Sequence, residues 1–151
     1  MNKSIISEGE QRAYDFDWFA VDTVGYLVNL TSWGGKLPAS VAASKENLKM
    51  LENYFSALPE LSTDKEFEAK FTDATPDGEL STYLEYIRRG FFSFDRIDYN
   101  NHDSCVYQLV AQPPRPLLVA DLPPDIAAIV PQTRLPFAVA TLATLETSAV
   151  A

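Results

Sequence analysis

Residues 18–38, WFAVDTVGYLVNLTSWGGKLP, constrain the fold more than any other part of the chain. Two apolar runs flank a short turn, and a Gly-Gly corner then opens onto a proline. Aromatic and β-branched residues over 16–22 and 27–31 predict two strands, joined by Thr23-Val24-Gly25, where glycine is free to take positive φ. The pair is a β-hairpin. Ser32-Trp33-Gly34-Gly35 breaks it, and Pro38 stands where a helix tolerates a missing N–H. Val41, Leu48, Leu51, Phe55 and Leu58 then share one stripe, with Lys45, Glu46, Lys49, Glu52 and Asn53 off it. That spacing predicts one amphipathic helix from about 38 to 57, its apolar face on the sheet.

Pro59 ends this helix, and Thr63-Asp64-Lys65-Glu66 has the capping-box spacing of a short second one. Leu80, Tyr83, Leu84 and Ile87 give a third over residues 77–89, stopped by Gly90. Residues 91–95 and 105–112 read as strands of a second hairpin around the polar run 98–103. Pro113-Pro114-Arg115-Pro116 interrupts pairing, so residues 117–120 are expected as an edge strand or its continuation. A short helix is expected from 121 to about 130, and a last strand over 137–142. The expected architecture is α+β, a mainly antiparallel sheet built from hairpins and packed against two or three helices. Residues 1–151 are read as a single domain, with 1–13 and 146–151 as loose tails.

A chain of 151 residues can bury enough apolar surface to fold without disulfide or metal. Its net charge of −9, from 21 acids and 12 bases, opposes direct binding to nucleic acid or anionic lipid. Basic residues form no patch, Arg88-Arg89 being the one adjacent pair. Such a charge favours a basic protein partner through steering, or serves solubility alone. The single Cys105 excludes an internal disulfide and fits a reducing cytoplasm. No run approaches the roughly 20 apolar residues of a membrane span.

Each candidate chemistry has a plainer structural reading. His102 and Cys105 could form a nucleophile pair, but neither carries a flanking motif, and a turn histidine beside a structural cysteine explains both. Asp95, Asp98, His102 and Asp103 offer oxygen and imidazole ligands at spacings matching neither an EF-hand nor a zinc motif. Asp15, Asp17 and Asp22 read as hairpin-edge charge or as paired carboxylates. Gly34-Gly35-Lys36 lacks the leading glycine and following hydroxyl of a phosphate loop. Trp18, Phe19, Trp33, Phe91, Phe92, Phe94, Tyr99 and Tyr107 cannot all face one core unless both sheet faces are covered, so some are buried under helices or exposed as interface anchors.

Three segments taken together, residues 17–38, residues 89–95 and residues 107–123, resemble small, acidic, mostly uncharacterised bacterial proteins, some of which are similar to the immunity proteins of polymorphic toxin systems. The resemblance implies a cytosolic, non-enzymatic α+β protein that binds and blocks a toxin, and it carries no assigned functional residue. The expected function is a non-catalytic protein-binding module without cofactor or metal. Its partner contacts are expected at Asp22, Trp33, Asp95, Asp98 and Tyr99, near the hairpin turns. The alternatives are a small metal-dependent hydrolase using Asp95, Asp98 and His102, or a structural subunit of a larger assembly.

Overall fold

The computed structural model describes residues 5–59, 86–98, 100–148 and 150. Helix α1 (Glu8–Ala13) opens the described chain, where a loose arm was expected. Ser7 and Glu10 form a reciprocal capping box. Ile6 is buried beside it, and its N–H bonds to the carbonyl of Ala42.

Strands β1 (Asp17–Val21) and β2 (Leu27–Thr31) make the expected hairpin, with Asp17 opposite Thr31 and Val21 opposite Leu27. Gly25 takes φ 101 in its turn. The chain next reverses through Trp33 at φ 48 and Gly34 at φ 76. The single helix expected over 38–57 is two, α2 (Ala39–Ala42) and α3 (Lys45–Ser56). Ser44 divides them: its backbone is extended and its Oγ accepts the Asn47 N–H, so it caps α3 rather than continuing α2. The expected second helix lies outside the described residues, as does most of the third. The third one's stop is visible, Gly90 taking φ 97 with its N–H on the carbonyl of Ile87.

Strand β3 (Phe92–Arg96) pairs parallel with β2 and antiparallel with β4 (Val106–Ala111), as the second hairpin requires. Residues 117–120 are not an edge strand. Leu118 makes one isolated bridge to Tyr26, and Val119–Asp121 coils into a 3-10 turn. Helix α4 (Pro124–Ile129) follows, extended by a 3-10 turn at Val130–Gln132. The last strand is β5 (Thr144–Glu146), beyond the expected 137–142. Over 137–142 the backbone instead serves the first hairpin: Thr23 N–H bonds to the Phe137 carbonyl, and Val139 N–H to Asp22 Oδ2. Thr147 and Val150 are buried, so the expected loose C-terminal tail is packed there.

The sheet order is β1-β2-β3-β4-β5, a mixed sheet in an α+β fold. Successive residues of β2 and β3 are all buried, so both faces of these central strands are covered. Phe19 points to one face, where it packs on Phe55, Tyr86 and Phe91 at centroid separations of 4.9, 5.5 and 5.9 Å. Trp18 points to the other, its indole N–H donating to the Tyr107 hydroxyl at 3.3 Å. Burial pushes that hydroxyl well above its ordinary pKa. The aromatic residues at 18, 19, 91, 92, 94 and 107 are therefore core, and Trp33 is not. Among the described residues no helix is long and apolar enough to cross a membrane.

Candidate functional site

Arg96 organises a surface at the end of β3. It closes β3 with 1% exposure, and its guanidinium is satisfied by main-chain carbonyls. Nε donates to Ser32 O at 2.7 Å, Nη2 to Trp33 O at 2.9 Å, and Nη1 to Asn101 O at 2.6 Å and to the carbonyl of Asp98. A buried cation is tolerable only when its donors are occupied, and the planar fork reaches several carbonyls that an ammonium could not. Gly35 leaves room for it: a Cβ there would lie 2.2 Å from Nε.

These bonds join the corner at 32–36 to the loop at 97–104. Lys36 N–H adds a bond to His102 O at 3.1 Å. His102 Nδ1 lies 2.7 Å from Gly34 O; the carbonyl only accepts, so Nδ1 carries the proton. Asp15 Oδ1 accepts the Trp33 N–H at 2.9 Å. Partial burial pushes the Asp15 carboxyl up, opposed by that N–H.

The rim so built exposes Trp33 at 37%, Ile97 at 43% and Val106 at 38%. Ile97 N–H bonds to Val106 O, which sets the last two side by side. Asp98 and Asp103 are exposed on the same loop. Large apolar side chains edged by acids, on backbone held by a buried network, can contact a partner with little loop-ordering cost.

Of the residues expected at a partner contact, Trp33 and Asp98 are brought together, since one guanidinium binds both carbonyls. Asp22 is not a contact residue. It is 2% exposed, and its carboxylate accepts from the N–H groups of Val24, Gly25, Tyr26 and Val139, which makes it the organiser of the first hairpin turn. Asp95 is 3% exposed, set opposite Thr31 on β2 and Gln108 on β4, and cannot meet a partner. Tyr99 lies outside the described residues. Arg96, Ile97 and Val106 were missed. Alternation in the second hairpin could have marked Ile97 and Val106, but nothing near Arg96 in sequence announces carbonyls so distant along the chain.

Among the described residues no three His, Cys, Asp or Glu side chains form a group that could hold a metal ion. The hydrolase alternative gains no support from this geometry, because Asp95 is buried in the sheet, Asp98 faces outward and His102 is turned to Gly34. Comparison with known proteins gives no match: no family model, no curated protein and no solved structure matches the chain.

Proposed function

We propose that this chain is a non-catalytic binding module for a basic protein, engaged through the rim that carries Trp33 and Asp98. The observation that carries the reading is the Arg96 knot, which holds the backbone of a partly exposed tryptophan and an exposed aspartate in one preorganised unit. The net charge of −9 supports a basic partner through long-range steering. Neutralisation of a basic toxin in the bacterial cytoplasm is the most concrete form of this function.

The test is a pull-down from native lysate with two baits, the parent chain and the Trp33→Ala/Asp98→Lys variant, at low and raised salt. Bound proteins are identified by mass spectrometry. The expected result is one stoichiometric basic protein held by the parent, released by salt and lost from the variant. Identical capture by both baits would remove the rim from the interface. For the toxin form, co-expression of the parent chain should rescue cells producing the captured protein, and the variant should not.

A further inference from the structure

A cleft opens behind the rim, between α1, the corner leading into α2, the 102–105 end of the loop before β4 and the segment after β5. It consists of hollows of about 420 Å³ and about 320 Å³ that share Lys36, Leu37, Ala39 and Asp103. Both volumes fall in the lower part of the range of small-molecule sites, about 300–1,000 Å³. Leu37 and Val150 give the cleft an apolar, buried lining.

Its walls are tied together by hydrogen bonds. Lys36 N–H bonds to His102 O at 3.1 Å, Leu37 N–H to the buried Gln11 Oε1 at 2.9 Å, and Thr147 N–H to Cys105 O at 2.9 Å. The cleft therefore exists before any ligand arrives, which lowers the cost of binding.

Two opposite charges, Lys36 and Asp103, border both hollows. Arg12 pairs with Glu8 at 3.0 Å and Lys45 with Glu10 at 2.8 Å, and neither ion pair involves Lys36 or Asp103. Glu8, which also borders the smaller hollow, is held by Arg12 and feels a weaker attraction from Lys36. A ligand with only an anionic group meets Asp103 as a repulsive wall, and one with only a cationic group meets Lys36. A ligand carrying both charges on a short apolar body satisfies the ammonium, the carboxylate and the apolar lining at once.

We propose that this cleft binds a small zwitterion with an apolar side chain, a free aliphatic α-amino acid, its carboxylate on Lys36, its ammonium on Asp103 and its side chain against Leu37 and Val150. This site shares Asp103 and the Lys36–His102 bond with the rim, but it holds a different ligand and its test does not use the protein partner.

The test is an NMR titration of the ¹⁵N-labelled full chain with L-leucine, with isocaproate, which lacks the ammonium, and with isoamylamine, which lacks the carboxylate. Expected are saturable shifts at the amides of Leu37, Thr147 and Val150 with leucine, and affinities at least about tenfold weaker for either truncated probe. Lys36→Met and Asp103→Asn, both at exposed positions, should each abolish the leucine shifts while leaving the remaining spectrum in place. Absence of saturable shifts at these amides with leucine would overturn the site. Equal binding of isocaproate and leucine would overturn the zwitterion.

Discussion

Asp22 shows how one carboxylate can set a local structure. Oδ1 accepts three consecutive N–H groups, those of Val24, Gly25 and Tyr26, at 3.0, 3.0 and 2.8 Å, while Oδ2 takes Val139 N–H at 3.0 Å. The turn of the first hairpin and the distant 137–142 segment thus hang on the same side chain. Asp22→Asn keeps one oxygen for the turn but sets an amide donor against Val139 N–H, so the variant should lose about 2 kcal/mol, the cost of a buried unsatisfied donor. Urea denaturation measures this, and an unchanged midpoint would contradict the role. In the sequence Asp22 reads as a surface charge near a turn. The turn was legible, because Gly25 and the flanking runs are local signals. The burial was not, because it depends on a backbone segment more than a hundred residues away.

At the scale of elements, α3 lays its apolar stripe on β1, with Phe55 against Phe19 at 4.9 Å. The stripe was plain in the sequence, whereas the break before it was not: Ser44 has the residue type of an N-cap but sits inside an uninterrupted periodic pattern. The 137–142 run misled for the opposite reason. Its apolar pattern suits a strand, yet its backbone bonds to a turn and to a carboxylate instead of a ladder. Glu52, on the flank of α3, is pushed above the ordinary carboxylate range by burial first and by Asp17 on β1 second, against a smaller opposing effect from Lys49. A carboxyl whose pKa is raised by folding holds its proton more tightly in the fold than in the unfolded chain. Its contribution is therefore fully present below the unfolded value, about 4.3, and is lost as pH rises through the folded one. Glu52→Gln should accordingly raise the unfolding midpoint at pH 7 and leave it unchanged near pH 3. A variant less stable than the parent at pH 7 would contradict this assignment.

Across the whole molecule, the parallel β2–β3 pair joins strands separated by both α2 and α3, a pairing that no local signal encodes. The hairpins, the α+β class and the acidic balance could be read from the chain. Strand order and the rim could not, since each rests on contacts between distant segments. Arg96 is the clearest case, because its guanidinium draws carbonyls from both sides of the β2–β3 crossover into one knot, and the proposed function depends on the rigidity this gives the rim. Hydrogen exchange of the amides of Gly35, Lys36 and Ser104, compared between the parent and Arg96→Lys, tests that dependence most directly. Gly35 N–H bonds within the corner, Ser104 N–H within the loop, and Lys36 N–H from one to the other. The account predicts that all three lose protection together in the variant while the amides of β1 and β2 keep theirs; protection unchanged at these amides, or lost in the loop alone, would contradict it.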